Sequence, residues 1–193
     1  QRQTATVSIN ASEYQAFHDF LQQSCGISLG TGKEYLVTSR LNNILLEAGI
    51  ESFTSLLDCL QSQGYSHLKI RVIDAMTTNE TFWFRDIGHF NLIKERILPE
   101  LNNQPGNNIR IWSAACATGQ EPYSISMVVE DYYRVDPRQL NRPVEILATD
   151  VSTRVLQEAR RARYCGMTIE RGLTLEQKQR YFIPDQNCLE VHP

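Results

Sequence analysis

The chain has 193 residues, of which 41% are hydrophobic and 21% are charged, a balance typical of a globular protein of one or two domains rather than of a disordered or fibrous chain. No stretch approaches the ~20 consecutive apolar residues that a membrane span requires, and Gln1 to Asn10 lacks the apolar core of a signal peptide. The formal net charge of -3 argues against a broad basic surface for nucleic acid. We therefore expect a cytoplasmic protein without direct membrane insertion and without a nucleic acid partner.

The cysteines and histidines show no spacing that is typical of a metal site or of a disulfide framework. The five cysteines are odd in number and never occur as C-x-x-C. The four histidines also lack the spacing of metal ligands. The sequence therefore predicts reduced, mostly buried thiols and no metal site.

Residues 1–76 are predicted to form a small all-helical domain. Apolar residues recur there at helical spacing in four stretches, which Gly and Ser residues separate. The first stretch is expected to be capped by Ser12, and the others cover residues 36–48, 52–60 and 68–76. Because each stretch is short and amphipathic, the helices are expected to pack on one another.

Residues 77–108 are predicted to be a linker that holds a polar and aromatic segment and then a connecting helix ending near Pro99. Beyond it the pattern changes to strand, helix, strand, helix, with strands at 109–115 and 144–149, which predicts a parallel α/β sheet with right-handed crossovers. The fold class is therefore α + α/β. A small N-terminal all-helical domain is expected to be followed, at 109–193, by a parallel α/β domain.

The loop after the first strand lies where open α/β sheets bind their ligands. It lacks both the Walker sequence and G-x-G-x-x-G, so phosphate chemistry is disfavoured. Glu121 starts the next helix and Asp150 ends the second strand, where an acidic side chain suits the hydroxyls of a ribose. The pair favours a nucleoside without a diphosphate, such as S-adenosylmethionine. Structural roles stay open for each residue alone: Asp150 as a helix cap and Glu121 as a partner of the helix dipole.

Three segments of the sequence resemble the CheR-type chemotaxis receptor methyltransferases. They are residues 78–86 (TNETFWFRD), residues 112–124 (WSAACATGQEPYS) and residues 148–150 (ATD) with the helix that follows. The helical domain resembles the N-terminal domain of that family, so the likeness covers nearly the whole chain. It implies an enzyme that transfers a methyl group from S-adenosylmethionine to glutamate carboxylates in the cytoplasmic domains of chemoreceptors. The products are glutamate methyl esters and S-adenosylhomocysteine, and the process is chemotactic adaptation.

The resemblance also implies roles for individual residues. Arg85 lies at the cofactor and methyl-acceptor site as the candidate catalytic residue, Glu121 lies against the amino-acid end of the cofactor, and Asp150 holds the ribose. A surface or interdomain ion pair is the alternative for Arg85. The aromatic cluster Phe82–Phe84 is expected to pack at the junction of two domains. The expected cofactor-binding set is Asn79, Thr81, Arg85, Ala115, Gly119, Glu121 and Asp150.

The chemistry and the docking of the acceptor lead to further expectations. A glutamate side chain has a reference pKa of ~4.3, so it is already ionised at neutral pH and needs no general base. Arg85 is expected to steer this carboxylate. Lys33 and Arg40 lie on one face of the second helix and are candidates for docking an acidic receptor, with a solvated helix face as the alternative. Gln120 departs from the family, which usually has a second acidic residue there, and its effect depends on whether it faces solvent.

The resemblance implies that residues 109–193 are the first part of a Rossmann-like parallel α/β domain, incomplete in this chain, because the sheet of the family has more strands than the two that residues 109–150 supply. Residues 188–192 at best start another element, and the small antiparallel subdomain of the family is expected to lie beyond the chain. A two-stranded α/β piece should expose apolar surface and self-associate. A non-catalytic module that binds cofactor or receptor is therefore an alternative function, and a methyltransferase acting on nucleic acid or on a small molecule is a third.

Overall fold

The computed structural model describes residues 7–135 and 142–192. The chain divides into two compact units, of which the first ends at Thr78 and the second begins at Asn79. Most of the segment predicted as a linker therefore belongs to the second unit. The first six residues of the stretch assessed above for a signal peptide lie outside the described residues.

The first unit is helical, as its apolar periodicity predicts. Each helix turns one apolar stripe inward, and side chains such as Phe17, Leu41 and Phe53 are fully buried in the shared core. This burial stabilises helices that are too short to persist alone. The elements are α1 (Ala11–Cys25), α2 (Glu34–Ala48), α3 (Phe53–Gln61), a 3-10 turn (Gln63–Tyr65) and α4 (Ser66–Met76).

The capping residues show where local prediction succeeds and where it is wrong. The third stretch is predicted to start at residue 52, and Ser52 is the cap of α3, because its side chain accepts a hydrogen bond from the backbone N–H of Ser55. The prediction of Ser12 as the cap of α1 is wrong, because Asn10 takes that position and forms a capping box with Glu13. Glu13 also accepts hydrogen bonds from the backbone N–H and hydroxyl of Thr54. The box is favoured because the Glu13 side chain satisfies donors at the first turns of two helices.

The second unit begins with helical turns and continues as a parallel α/β sheet. β1 and β2 pair in parallel, with Ile109 opposite Val144 and Ala114 opposite Thr149, as predicted. The connecting helix does not end at Pro99: a π-helical turn precedes α6, and Pro99 lies in the first turn of α6, where its missing N–H is tolerated. The elements are α5 (Ile87–Leu92), the π turn (Ile93–Ile97), α6 (Leu98–Asn102), β1 (Ile109–Ala114), α7 (Gln120–Val135), β2 (Val144–Thr149) and α8 (Thr153–Arg161).

An antiparallel sheet follows, so two expectations are wrong: that only the start of another element lies here, and that antiparallel strands lie beyond the chain. Its three strands occur in the order β3-β5-β4. Cys165 and Cys188 are directly opposite each other on β3 and β5 and form a disulfide. The prediction of reduced thiols is therefore wrong for this pair, because cross-strand neighbours are brought into bonding range. The elements are β3 (Arg163–Cys165), α9 (Met167–Glu170), α10 (Leu175–Tyr181), β4 (Phe182–Asp185) and β5 (Cys188–Val191).

Aromatic side chains connect the antiparallel sheet to the rest of the second unit. The Trp83 ring is fully buried and meets Tyr164 and Phe182 edge-on, at centroid distances of 4.8 and 5.2 Å. The expectation that this cluster packs at a junction of two domains is corrected, because Trp83 and Phe84 belong to the core of the second unit. On one face of the parallel sheet, the neighbouring side chains of Trp112 and Leu147 are 68% and 59% exposed. The expectation of exposed apolar surface is therefore confirmed.

Candidate functional site

The loop between β1 and α7 is held in a strained conformation at the carboxyl edge of the parallel sheet. Ala115 and Ala117 both have positive φ, at 59° and 48°, which non-glycine residues adopt at a cost. The N–H of Cys116 donates to the carbonyl of Thr149 at 2.9 Å and so continues the pairing of the strands into the loop. Ala115 is exposed, so its backbone is open to a ligand.

Asp150 holds this loop closed through its carboxylate. Oδ2 accepts a hydrogen bond from the backbone N–H of Ala117, and Oδ1 accepts one from the N–H of Ser152, both at 2.9 Å. Ser152, not Asp150, is the cap of α8, so the alternative role of Asp150 as a helix cap is wrong. A carboxylate has about four acceptor positions, so two remain for hydroxyl groups of a ligand.

Glu121 contacts the end of the neighbouring strand, β1, from the following helix. It occupies the first turn of α7, and its Oε1 accepts a hydrogen bond from the buried hydroxyl of Ser113 at 2.7 Å. The negative charge is favoured there by the helix dipole, so that structural role is also filled. The side chain is exposed and retains acceptor capacity.

The thiol of Cys116 lies close enough to both carboxylates for their charges to affect its pKa. Burial raises the pKa of its thiol, and the charges of Asp150 and then Glu121 raise this pKa further. The thiol is therefore neutral at physiological pH and unsuited to act as a nucleophile. Of the free cysteines, Cys116 is buried, whereas Cys25 and Cys59 are half-buried, which corrects the prediction that most thiols are buried.

Gly119 and Gln120 are buried residues that fix the conformation of the loop through contacts within the protein. A side chain at Gly119 would bring its Cβ to 2.9 Å from Cβ of Ala159 and to 3.0 Å from the hydroxyl of Tyr164, so the close approach that requires glycine is to α8 and β3. Gln120 is 1% exposed, and its Oε1 accepts a hydrogen bond from the Thr118 hydroxyl at 2.7 Å. The departure at Gln120 therefore does not face solvent and bears on the conformation of the loop.

The segment before α5 joins the same unit. Asn79 and Thr81 are half-buried and Arg85 is exposed. The N–H of Phe84 donates to the hydroxyl of Ser124 on α7 at 3.1 Å, which ties the segment to the helix that carries Glu121. Arg85 has its guanidinium carbon 5.9 Å from the centroid of the Phe82 ring.

Lys33 and Arg40 have different environments. Lys33 is exposed and is the N-cap of α2, so it adjoins the helix that carries Arg40. Arg40 is half-buried and donates to the carbonyl of Met76 at 2.8 Å and to the hydroxyl of Thr78 at 3.1 Å. Arg40 therefore stabilises the end of α4, where carbonyls lack helical partners.

The described residues contain neither a candidate metal site nor a candidate membrane span. No group of three or more His, Cys, Asp or Glu side chains is arranged there to hold a metal ion. None of the helices in these residues is long and apolar enough to cross a membrane.

Comparison with family models matches both units. Residues 12–77 match the CheR methyltransferase all-alpha domain, and residues 79–192 match the CheR methyltransferase SAM binding domain. The chain belongs to the CheR methyltransferase family. S-adenosylmethionine is therefore the cofactor of the domain that carries the loop, Glu121 and Asp150.

Chemotaxis protein methyltransferases from several bacteria are similar to this CheR family member. It is 45% identical to Chemotaxis protein methyltransferase Cher2 of Pseudomonas putida over 89% of this chain and 63% of the relative. It is 45% identical to Chemotaxis protein methyltransferase 1 of Pseudomonas aeruginosa over 89% and 62% of the two chains. The Chemotaxis protein methyltransferase of Escherichia coli is 31% identical over 93% and 59%. The chain thus spans less than two thirds of the length of these relatives.

Sequence reasoning missed supporting residues of this CheR domain. Ser113, Ser124 and Thr149 all lie inside the motifs. The hydroxyls of Ser113 and Ser124 bond Glu121 and the N–H of Phe84, and a hydroxyl in a polar motif is a recognisable signal. Thr149 acts on the loop through its backbone carbonyl, for which the side chain gives no signal. Tyr164 donates to the carbonyl of Thr118 at 2.7 Å. Its separation of 46 residues from the loop leaves no local signal that could have found it.

Proposed function

We propose that this protein is an S-adenosylmethionine-dependent protein-glutamate O-methyltransferase that acts on chemoreceptors. The observation that carries the proposal is the pair of carboxylates, Glu121 and Asp150, at successive strand ends around one strained loop. The names of the similar proteins, each a chemotaxis protein methyltransferase, support the reaction and its setting.

The residues of the loop suit the cofactor. Asp150 would accept hydrogen bonds from the ribose hydroxyls, and Glu121 would accept from the ammonium group at the amino-acid end, because each carboxylate retains acceptor positions. Ala115 would contribute its exposed backbone, while Asn79 and Thr81 would contact the cofactor from the segment before α5. When bound, S-adenosylmethionine supplies an electrophilic methyl group on a positively charged sulfur.

The acceptor carboxylate needs positioning more than activation. A glutamate is ionised at neutral pH, so no base has to remove a proton. Alignment of the reacting groups is then the main contribution of the protein. Arg85 is exposed and bears a guanidinium that would orient the carboxylate through paired hydrogen bonds.

The remaining assignments concern partner and place. The proposed partners are the cytoplasmic domains of chemoreceptors, and the proposed location is accordingly cytoplasmic. Lys33 is the exposed candidate for contact with an acidic receptor surface, since Arg40 serves the end of α4. Association of the chain with itself, through the face that exposes Trp112 and Leu147, stays a prediction.

The test measures methyl transfer and cofactor affinity separately. Membranes that contain chemoreceptors are incubated with the chain and methyl-labelled S-adenosylmethionine, and the label released by mild base reports glutamate methyl esters. Calorimetry with S-adenosylhomocysteine gives the affinity. We expect transfer by the wild-type chain, weaker binding by Glu121→Gln and Asp150→Asn, and unchanged binding by the exposed control Glu158→Gln.

Each other outcome identifies a different function. Binding of S-adenosylhomocysteine without transfer would indicate the non-catalytic module. Label that appears on nucleic acid or a small molecule instead of the receptor would indicate the third class of function. Absence of both binding and transfer would contradict the proposal.

A further inference from the structure

Arg171 contacts the segment that precedes α5, although it lies far away in the sequence. It follows the last residue of α9, and its guanidinium carbon is 3.7 Å from the centroid of the Phe82 ring. Its Nη1 lies 3.9 Å from Oε1 of Glu80. Arg171 therefore combines a cation–π contact with an ion pair to two residues of one short segment.

Two further contacts fix the backbone around Arg171 against the same segment. A Cβ on Gly172, which has φ +93°, would come within 1.8 Å of the carbonyl oxygen of Trp83, so the two backbones approach as closely as glycine permits. The indole N–H of Trp83 donates to the carbonyl of Thr168 at 2.7 Å. The position of Arg171 is thus set by the core and does not depend on its own exposed side chain.

Arg85 shares both partners of Arg171 but holds them less closely. Its guanidinium carbon is 5.9 Å from the Phe82 ring, and its Nη1 reaches the backbone carbonyl of Glu80 at 3.5 Å. The carboxylate of Glu80 is paired with Arg171. If that ion pair were removed, the exposed carboxylate of Glu80 would lose its cationic partner. Arg85, which already reaches the Glu80 backbone, would then be attracted to this carboxylate.

We propose that Arg171 is a positioning residue for Arg85, because it occupies Glu80 and the face of Phe82 and so leaves the Arg85 guanidinium available to the acceptor carboxylate. This inference rests on the proposed function, in which Arg85 orients a glutamate of the receptor. It also assigns a task to the turn after α9, which otherwise serves packing. The specific consequence is that the harm caused by losing Arg171 arises from Glu80.

The test uses a second substitution that a general loss of structure would not reverse. We expect Arg171→Gln to lower kcat/KM for receptor methylation about fivefold, since an exposed ion pair and an exposed cation–π contact each contribute modestly. Adding Glu80→Gln removes the competing carboxylate and is expected to restore most of that loss. Arg171→Lys, which keeps the charge, should retain most of the activity. The matched control is Arg96→Gln, which breaks an exposed ion pair with Glu100 and should have no effect.

A readout that does not require activity separates this inference from the proposed function. The NMR resonance of the Arg85 Nε–Hε group, assigned with Arg85→Lys, is expected to shift in Arg171→Gln and to return towards its wild-type position in the double variant. If Arg171→Gln behaves like Arg96→Gln, or if Glu80→Gln restores neither activity nor the resonance, the inference is overturned. A wild-type chain that transfers no methyl group contradicts the proposed function, and the resonance still decides the role of Arg171.

Discussion

Replacement of Asp150 by alanine should affect both the stability of the second unit and the affinity for S-adenosylhomocysteine. The carboxylate accepts from the N–H groups of Ala117 and Ser152, and these residues are 6% and 0% exposed. Each buried donor that loses its charged acceptor costs about 1–3 kcal/mol, so Asp150→Ala should lower the free energy of unfolding by about 2–6 kcal/mol. The strained φ of Ala117 should then relax, which opens the loop.

Asp150→Asn separates the two effects. The amide keeps one oxygen acceptor but turns its NH₂ group towards the other donor, so we expect about half of the destabilisation. The loss of a charged acceptor for the ribose should still weaken S-adenosylhomocysteine about tenfold or more, which corresponds to ~1.4 kcal/mol.

Denaturant unfolding measures the first quantity and calorimetry the second. Glu158→Gln serves as the control, because it removes an exposed carboxylate that pairs with Arg154 on α8, and it should change unfolding by less than about 0.5 kcal/mol. Unfolding of Asp150→Ala that matches this control would refute the loop contacts. Unchanged affinity in both Asp150 variants would refute the ribose assignment.

Three further predictions concern other parts of the molecule. The pKa of Glu13 is lowered, chiefly by the hydrogen bond from the Asn10 backbone. The ionised side chain therefore stabilises the fold above pH ~4.5, and this stabilisation is lost as the pH falls through the folded pKa. Glu13→Ala should lower the free energy of unfolding by about 1 kcal/mol at pH 7, measured with denaturant, and should flatten this dependence on acid pH. Because burial raises the pKa of Cys116, mass spectrometry should find its alkylation at pH 8 about tenfold slower than that of the two half-buried free thiols. Gly172→Ala should lower the thermal midpoint and cost about 2 kcal/mol or more, because its Cβ would clash with the Trp83 carbonyl.

Matched controls show what would contradict these three predictions. The control for Glu13→Ala is Glu51→Ala, which removes an exposed carboxylate just before α3. If the free energy of unfolding depends equally on acid pH in both variants, the role of Glu13 is contradicted. Alkylation of Cys116 at the rate of Cys25 would contradict its burial. Gly88→Ala adds a Cβ that meets nothing within 4 Å, so equal destabilisation by the two glycine variants would contradict the close approach at Gly172.

The elements of the sheet and helices were predictable where periodicity and capping residues act locally. The parallel pair at Ile109 and Val144 follows from apolar runs bounded by turn residues. Ser12 was a plausible cap, but Asn10 lies three residues before Glu13, which is the spacing of a capping box, so the correct cap was also recognisable from the sequence. The contact between Glu13 and Thr54 was not recognisable, because it spans 41 residues and leaves no mark on the local pattern.

In the candidate site, too, residues with a local sequence signal were predictable and contacts between distant segments were not. The two carboxylates were predictable, because strand ends of a parallel sheet meet at one edge. The side chains that hold the neighbouring segments were not predictable. Tyr164 bonds the loop from the antiparallel sheet, and Arg171 contacts the Phe82 ring from the turn after α9. Short strands such as β3, with three residues, carry too little alternation to be recognised, so the contacts that depend on them stayed hidden.

A crystal structure of the chain with S-adenosylhomocysteine tests the central claim most directly. The account predicts a bound nucleoside whose ribose hydroxyls contact Asp150 and whose amino-acid end lies against Glu121, with the loop from Ala115 to Gly119 beneath it. A ligand bound elsewhere, or ribose hydroxyls that contact neither carboxylate, would contradict it.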